Sequence, residues 1–240
     1  MDTLRLPSPK PRMIAHRGMS GLEMENTCSA FVAAGNRTHF GIETDVHRTL
    51  DGQFVIIHDD DTLRVSGDKM IVEETSLETL RSLRLKDRDG QRGRRDLMLP
   101  TLQEYIQICK KYEKTAVLEL KNHFDQADIE RIIAIIQAED YLPRTMFISF
   151  DLPNMICVRS LLPQQKAQYL IECAVPDDLI DTLKRYRLDL DIDHHLLTKP
   201  LADACKRAGI EINVWTVNTL QDAQRVIDLG VDYITSNILE

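Results

Sequence analysis

Residues 206–215, KRAGIEINVW, place a glycine between a helical pattern and a run of apolar and β-branched residues. Residues 228–235, DLGVDYIT, repeat the arrangement around Gly230. Because glycine tolerates the left-handed conformation that ends many helices, both stretches predict a helix, a tight turn and a strand. From residue 100 onward, helical patterns alternate in this way with short apolar runs. That alternation is typical of βα units around a parallel sheet.

Eight runs of this kind are expected to form the strands of one sheet. They lie near residues 12–15, 41–46, 116–120, 145–149, 167–171, 188–192, 210–215 and 232–235. Eight strands with intervening helices in 240 residues fit an α/β fold of the TIM (β/α)8 barrel type, whose usual size is about 250 residues. An open, doubly wound sheet is the alternative. It is less favoured because neither G-x-G-x-x-G nor G-x-x-x-x-G-K-[ST] occurs.

The stretch from residue 59 to residue 100 interrupts this alternation of strands and helices with charged and turn-forming sequence. We interpret it as a small insertion within a single domain that spans residues 1–240. Just before it, residues 54–57 predict an additional strand, and within it residues 76–85 predict a short helix. The loop at residues 86–95 contains four arginines, which would attract an anionic substrate if the insertion covered the barrel mouth.

Two helix starts carry a side-chain signal. Thr101 and Glu104 have the spacing of a capping box, which predicts a helix from there to about residue 112. The pair Asn26-Thr27 predicts the start of a helix that Gly35 ends, since Asn and Thr side chains cap the first turn of helices.

The composition disfavours several classes of protein. Thirty basic against 38 acidic residues give a net charge of −8, which argues against a nucleic-acid partner. The 43% apolar content supports a sizeable core, whereas no apolar run approaches the roughly 20 residues of a membrane helix. Five widely spaced cysteines without a C-x-x-C pair argue against a disulfide framework. Because residues 1–11 lack the apolar core of a signal peptide, we expect a cytoplasmic protein.

Reactive groups of a TIM barrel lie at the C-terminal ends of its strands, so polar residues that end apolar strands are candidate site residues. The run IAHRG at residues 14–18 ends in an imidazole and a guanidinium. In residues 41–46, strand alternation places Glu43 and Asp45 on one face, about 6.6 Å apart along the strand. They could be solvated on an edge strand. Inside a barrel they would repel one another, which favours a hard, oxygen-binding metal between them.

Two further strands end in polar residues. In residues 116–121, AVLELK, Glu119 and Lys121 share a face. Glu119 could complete a three-carboxylate metal site, or the two residues could form a surface ion pair, although the apolar residues around them make exposure less natural. In residues 55–59, VIIHD, His58 stands next to an acid and is a second candidate for proton transfer.

Taken in order, these motifs resemble those of the glycerophosphodiester phosphodiesterases, a family of metal-dependent TIM-barrel enzymes. The resemblance covers nearly the whole chain. It rests on His16-Arg17-Gly18, Glu25-Asn26-Thr27, Glu43-Thr44-Asp45, His58-Asp59, Leu118-Glu119-Leu120-Lys121, Ser149-Phe150 and Trp215-Thr216-Val217-Asn218. Each motif alone is weak, but the ordered set is specific.

The resemblance implies three groups of site residues. The acid/base pair consists of His16 and His58. A divalent cation, Mg²⁺ or Ca²⁺, is bound by three carboxylates, those of Glu43, Asp45 and Glu119. Substrate is held by Arg17, Lys121 and Trp215, the last as a wall of the glycerol pocket. As the only Trp of the chain, Trp215 could equally be a core aromatic.

The resemblance also implies the reaction and its partner. The expected substrate is a small glycerophosphodiester, cleaved to glycerol 3-phosphate and an alcohol. The hydroxyl of the glycerol would attack first to give a cyclic phosphate, which water then opens. Two alternatives stay open: a related phospholipase-type or sphingomyelinase-D-like phosphodiesterase or lyase, and a barrel that only binds. A sugar-isomerase-like metal site would need ligands on later strands, where only residues 191 and 193–195 qualify, and we assign these to the polar rim.

Two positions depart from the family pattern. Met24 stands where the family often has Pro, which should change only the stiffness of a loop. Thr235-Ser236-Asn237 stands where many members end the last strand with Thr-Asp. We expect this loss of a carboxylate at the barrel rim to alter substrate contacts rather than the metal site.

Overall fold

The computed structural model describes residues 2–240. Its β-strands are β1 Arg12–Ala15, β2 Gly41–Arg48, β3 Phe54–Ile56, β4 Thr115–Leu120, β5 Thr145–Ser149, β6 Lys166–Ile171, β7 Asp189–Asp193, β8 Ile212–Trp215 and β9 Tyr233–Ser236. Its α-helices are α1 Cys28–Gly35, α2 Leu63–Ser66, α3 Leu77–Ser82, α4 Leu102–Lys111, α5 Gln126–Ala138, α6 Leu152–Leu161, α7 Leu179–Tyr186, α8 Lys199–Ala208 and α9 Leu220–Leu229. Short 3₁₀ turns cover Val72–Glu74 and Leu142–Arg144.

Eight parallel strands close into a barrel. Pairing runs in the order β1, β2, β4, β5, β6, β7, β8 and β9, and β9 returns to β1. This confirms the TIM barrel, because the edge strands of an open, doubly wound sheet would remain unpaired. The strands lie within two residues of their predicted positions. The additional strand, β3, is also confirmed and pairs antiparallel with β2 outside the closed ring.

The glycines that predicted the αβ turns have the expected backbone. Gly209 follows α8 with φ +71°, and Gly230 follows α9 with φ +82°. A residue with a Cβ is strained at such angles, whereas glycine is not. These turns let each helix pass directly into the next strand, as the sequence predicted.

Both predicted helix starts are present. In the capping box of α4, the Thr101 hydroxyl accepts from the Glu104 N–H at 3.1 Å, and the Glu104 carboxylate accepts from the Thr101 N–H at 2.7 Å. Helix α1 is capped by Thr27, whose side chain accepts from the Ala30 N–H at 3.2 Å. The Asn26 side chain is therefore free for another contact, described below.

Apolar side chains form separate layers. The main cluster fills the space between the strands and the outer helices. A smaller one lies inside the barrel and consists of Ile14, Val117, Met146, Ile148, Leu170 and Tyr233. Between the layers, the buried Tyr105 hydroxyl of α4 donates to the Ile42 carbonyl at 2.7 Å. Apolar side chains thus fill the barrel interior, and the open space lies at the C-terminal ends of the strands.

Residues 59–100 carry α2, a 3₁₀ turn and α3, followed by a loop without regular structure at residues 86–95. Their apolar side chains join residues of β3 and the following loop in a cluster of their own, Val55, Ile57, Val65, Val72, Leu80, Leu85, Leu97 and Leu99. We propose on this basis that residues 59–100 form one small insertion within a single domain.

The two ends of the chain pair with each other. Leu4 and Leu239 form a parallel bridge, and the Leu6 N–H donates to the Glu240 carbonyl at 2.7 Å. No helix follows β9 in residues 237–240. No helix within residues 2–240 is long and apolar enough to cross a bilayer.

Replacing Thr101 by Ala removes one half of the capping box of α4. Loss of such a cap costs about 1 kcal/mol, which lowers Tm by about 2–4 °C in a domain of this size. Thermal unfolding followed by circular dichroism measures the change. Thr101→Ser keeps the hydroxyl and should retain most of the stability. Equal losses in both variants would contradict a capping role.

Candidate active site

A cavity of about 420 Å³ opens at the C-terminal ends of the barrel strands. It is lined by His16, Arg17, Glu43, His58, Glu119, Lys121, Ile148, Phe150, Leu170, Glu172, Asp191, Trp215 and Thr235. Every side chain in the predicted site except Asp45 is in this lining. Residues that lie far apart in the sequence therefore meet at one cavity, as expected for the C-terminal end of a TIM barrel.

Three buried carboxylates lie together at one side of the cavity, and two of them, Glu43 and Glu119, line it. Glu43 and Asp45 lie on β2, and Glu119 is the register partner of Asp45 on β4. The exposed fractions of the three residues are 3%, 1% and 6%. Each offers an oxygen, and these oxygens lie within 4.8 Å of one another. The predicted convergence of the three side chains is therefore present in the fold.

Two cationic side chains stand beside the carboxylates. Arg17 Nε lies 3.7 Å from Asp45 Oδ2, and the Arg17 backbone N–H donates to Glu43 Oε2 at 2.7 Å. Lys121 Nζ lies 3.0 Å from Glu119 Oε1 and 3.7 Å from Asp45 Oδ1. The contact with Glu119 lacks hydrogen-bond geometry, so that oxygen has no hydrogen-bond partner within residues 2–240. Three carboxylates against two cations leave one uncompensated negative charge.

The pKa values of the carboxyls reflect this excess. Burial, with Asp45 and Glu119 nearby, raises the pKa of Glu43 well above its usual range. Burial and Asp45 raise the pKa of Glu119 to about 8. Burial opposes ionisation of Asp45 as well, but Arg17 and Lys121 hold its pKa below the usual value. A bound divalent cation would relieve this repulsion, and three carboxylate oxygens with one unsatisfied acceptor fit such an ion.

Asn26 holds one of these carboxylates in place. Its Nδ2 donates to Asp45 Oδ2 at 2.7 Å, and its Oδ1 accepts from the Thr44 hydroxyl at 2.6 Å. Asn26 is therefore not merely part of a helix cap, since Thr27 has that role. The loop that precedes Asn26 also packs closely against α1, because a Cβ at Gly18 (φ +75°) would come within 2.7 Å of the Ala30 backbone.

His16 is held from the end of the last strand. Its Nδ1 lies 2.7 Å from Asn237 Oδ1, to which the Ser20 hydroxyl also donates at 2.9 Å. Burial, together with the charge of Arg17, lowers the pKa of His16 to about 4. The departure from the family pattern at residue 237 thus concerns the partner of His16, which here is an amide.

His58 is held by an acid and an arginine of the insertion. Its Nδ1 lies 2.7 Å from Asp59 Oδ1, and Asp59 Oδ2 accepts from Arg64 Nε at 2.7 Å. Burial lowers the pKa of His58. Burial therefore favours the neutral form of both imidazoles, in which each can accept a proton.

Arg64 also reaches the other side of the site. It donates to both oxygens of Glu25, at 2.9 and 2.8 Å, and Glu25 in turn accepts from Arg17 Nη1 at 2.9 Å. Arg64 of α2 therefore links Asp59, the partner of His58, with Glu25, the partner of Arg17. The sequence analysis missed Arg64 because its partner Glu25 is 39 residues away. The only available signal was its place shortly after His58-Asp59.

The remaining wall of the cavity is aromatic and apolar, with one acid. Trp215 and Phe150 meet edge to face with ring centroids 5.6 Å apart. Trp215 lines the cavity as predicted, and it also packs against the apolar cluster inside the barrel. Our assignment of Asp191 to the polar rim is wrong. Its side chain points into the barrel, where it is 1% exposed, and burial raises its pKa to about 8.

Asp193, His194 and His195 do lie at the rim. They form a second cluster that could hold a metal, but none of them lines the cavity. Arg225 Nη2 lies 2.7 Å from His194 Nδ1, so this nitrogen already has a charged neighbour. The cluster is separate from the cavity that contains the other candidate residues.

Two of the four arginines of the loop at residues 86–95 are paired with acids. Arg94 contacts Glu23 at 2.6 Å and Asp96 at 2.7 Å, and Arg92 contacts Asp68 at 2.8 Å. No residue of this loop is in the cavity lining. The structure therefore gives no support to the idea that these arginines steer a substrate.

Comparison with known proteins identifies the family. The model of the glycerophosphoryl diester phosphodiesterase family matches residues 16–239, a range that includes every candidate residue of the cavity. The chain belongs to this family. It is accordingly a phosphodiesterase, and the resemblance found in its sequence motifs is confirmed.

The similarity to known relatives extends over most of the chain of this phosphodiesterase. A glycerophosphodiester phosphodiesterase of Caldanaerobacter subterraneus is 28% identical over 95% of this chain and 94% of its own. Mouse glycerophosphodiester phosphodiesterase 1 is 27% identical over 99% of this chain and 82% of its own. The solved structure of an Oleispira antarctica phosphodiesterase in complex with the product sn-glycerol-3-phosphate is 25% identical, with a TM-score of 0.82, and covers 98% of this chain and 96% of that one.

Glu119→Gln tests the excess charge without relying on activity. In metal-free protein, the raised pKa of Glu119, about 8, means that the folded state keeps a proton that the unfolded chain loses near pH 4.3. Wild-type protein should therefore lose stability relative to Glu119→Gln as pH rises from about 4.5 to 8. Thermal unfolding in chelator across this range measures the growing difference in Tm.

Glu104→Gln is the control for this measurement, because Arg81 holds the pKa of Glu104 below its usual value. Wild-type protein should be more stable than Glu104→Gln above about pH 4.3 and lose that advantage as pH falls. A difference between wild type and Glu119→Gln that does not change with pH would contradict the raised pKa.

Proposed function

We propose that this phosphodiesterase hydrolyses glycerophosphodiesters to glycerol 3-phosphate and an alcohol, using a divalent cation and two histidines. The observation that carries the proposal is the meeting of three buried carboxylates and two imidazoles at one cavity. The relative from Oleispira antarctica, whose structure contains sn-glycerol-3-phosphate, supports the choice of product.

The cation would be held by Glu43, Asp45 and Glu119. Oxygen donors of this kind suit Mg²⁺ or Ca²⁺. When bound, the ion supplies positive charge that stabilises the phosphoryl oxygens as negative charge builds on them. Asn26, which fixes Asp45, and the Arg17 N–H, which fixes Glu43, keep two of the three ligands in position before the ion arrives.

Arg17 and Lys121 are suited to hold the phosphate. Both line the cavity next to the carboxylates. Glu25 fixes the guanidinium of Arg17, and Glu119 and Asp45 attract the ammonium of Lys121. In a site shielded from water, such fixed charges stabilise a phosphoryl transition state more than they would in solution.

His16 and His58 are suited to move protons. As the glycerol hydroxyl attacks phosphorus, one imidazole takes its proton, and the other donates a proton to the alcohol oxygen as the P–O bond to the alcohol breaks. In the second step a water molecule gives up its proton, and the glycerol oxygen of the cyclic ester takes one as the ring opens. The two histidines then exchange roles, and the proton count balances over the two steps.

Asp45→Asn tests the metal requirement. Loss of a ligand removes charge stabilisation of several kcal/mol, so kcat/KM should fall at least about 10³-fold. Chelator should abolish wild-type turnover, and added Mg²⁺ or Ca²⁺ should restore it. Release of glycerol 3-phosphate from glycerophosphocholine measures both effects.

Asp193→Asn, in the cluster of Asp193, His194 and His195 at the rim, is the matched control and should retain turnover and its dependence on the cation. Circular dichroism shows whether each variant is folded. Full wild-type activity in excess chelator would overturn the proposed role of the cation.

His16→Ala and His58→Ala should each lower kcat by about 10²–10⁴-fold, the range for loss of a positioned proton-transfer group. Steady-state kinetics between pH 5 and 9 measure the loss, and the rise in Tm on adding the cation shows whether the metal still binds. The exposed His123, which is outside the cavity lining, provides the control variant His123→Ala. Near-normal turnover in either cavity variant would remove that histidine from the mechanism.

A further inference from the structure

Arg64 of α2 lies between two carboxylates from distant parts of the chain. Its Nε and Nη2 donate to Oδ2 and Oδ1 of Asp59, at 2.7 and 3.0 Å. Its Nη1 and Nη2 donate to Oε2 and Oε1 of Glu25, at 2.9 and 2.8 Å. Two-point contacts between a planar guanidinium and a carboxylate fix direction as well as distance. Arg64 therefore orients both carboxylates at once.

Each of these carboxylates in turn holds one side chain of the cavity lining. Asp59 Oδ1 lies 2.7 Å from His58 Nδ1, and Glu25 Oε1 accepts from Arg17 Nη1 at 2.9 Å. His58 and Arg17 line the cavity, whereas Asp59, Glu25 and Arg64 do not. An effect of Arg64 on a bound substrate therefore passes through the two residues that its partners hold.

The contact with Asp59 decides which nitrogen of His58 carries the hydrogen. The hydrogen bonds from Arg64, and after them the one from His58, hold the pKa of Asp59 well below its usual range. An ionised carboxylate can only accept hydrogen bonds. Nδ1 of neutral His58 is therefore the protonated nitrogen, which leaves Nε2 as the nitrogen that can accept a proton.

The contact with Glu25 fixes the guanidinium of Arg17 in a similar way. Nε of Arg17 is buried and has no hydrogen-bond partner within residues 2–240, although Asp45 Oδ2 lies 3.7 Å away. Because Nη1 is bound to Glu25, the planar group has a set direction, and its unpaired N–H stays available to an anionic oxygen. Glu25 thus prepares Arg17 to receive a phosphate.

We propose that Arg64 is a positioning residue of the reaction, which orients the imidazole of His58 through Asp59 and the guanidinium of Arg17 through Glu25. This inference rests on the proposed function and deepens it. Since one rigid guanidinium makes both sets of contacts, proton transfer and phosphate binding depend on the same side chain. A lysine cannot replace it, because an ammonium has three donors and no planar fork, whereas these contacts use four hydrogen bonds.

A second arginine of the insertion separates positioning from simple anchoring. Arg81 of α3 contacts both oxygens of Glu104 on α4, with Nη2 2.9 Å from Oε1. This pair also joins the insertion to the barrel, but neither residue lines the cavity, and Glu104 leads on to the helix cap at Thr101. Arg81→Met is therefore the matched control for Arg64→Met.

Steady-state kinetics with glycerophosphocholine compare the variants. Arg64→Met should lower kcat about 10–100-fold, because a small misplacement of a reacting group has an effect of this size. It should also raise KM about 10-fold, the effect of losing a charge-assisted hydrogen bond. Arg64→Lys should recover only part of either loss, and Arg81→Met should keep both wild-type constants. Because Arg64 is about half exposed, Tm should change little.

Variants of the two carboxylates separate the two effects and keep the test open if Arg64→Met fails to fold. Asp59→Asn should act mainly on kcat, through His58, and Glu25→Gln mainly on KM, through Arg17. In the background of Arg64→Met, each of these changes should add less than about 2-fold, because the contact it removes is already lost. Fully multiplicative effects would contradict a shared dependence on Arg64.

Nuclear magnetic resonance of protein labelled with ¹⁵N-histidine gives a readout that does not need turnover. With Mg²⁺ present, the ring nitrogens of wild-type His58 should report hydrogen on Nδ1, and Arg64→Met should shift them towards a mixture of tautomers. Exposed His123 is the internal reference, and Arg81→Met should match wild type.

Four outcomes decide the matter. Unchanged His58 signals and kinetics in Arg64→Met, or equal losses in Arg64→Met and Arg81→Met, overturn the inference and leave the proposed function standing. Wild-type kinetics in Arg64→Lys also overturn it, since charge alone would then suffice. A wild-type protein that cleaves no glycerophosphodiester, although its His58 signals respond to Arg64→Met, overturns the proposed function alone.

Discussion

The repulsion among three buried carboxylates is the constraint on which the site depends. Asp45 and Glu119 are register partners on adjacent strands, and Glu43 lies two residues before Asp45 on the same face. A parallel barrel with this register cannot separate them, because strand pairing fixes where each side chain points. Arg17 and Lys121 offset part of the charge. The remainder is what makes the site suited to a divalent cation.

The hydrogen bonds around the carboxylates explain the role of the insertion in physical terms. Arg64, on α2, joins Asp59 beside His58 to Glu25 beside Arg17. The insertion therefore contributes to the geometry of the site through an ion-pair network. The arginines at residues 92 and 94, for which a steering role was expected, are engaged with acids of the insertion and the neighbouring loops.

The two halves of the chain contribute different properties to the cavity. The charged wall comes from β2, β4 and the loops that follow β1, β3 and β4, and it is suited to chemistry on a phosphate. The aromatic and apolar wall comes from the ends of β5 to β8, and it is suited to recognition of the organic part of the substrate. On that wall, Asp191 and Trp215 each present a polar atom without a protein partner.

The sequence by itself determined the barrel and the main candidate residues. Local signals were enough for the strands, the Thr101 capping box and the turns at Gly209 and Gly230, because each depends on neighbours in the chain. Motifs that end strands also located the carboxylates and histidines, since a barrel brings all strand ends to one side. Tertiary structure alone decided which partner each group has. Three contacts join residues distant in sequence: Arg64 with Glu25, Asn237 with His16, and Asn213 with the inward-pointing Asp191. No local pattern encodes such contacts, because they depend on strand register and on how the insertion packs against the barrel.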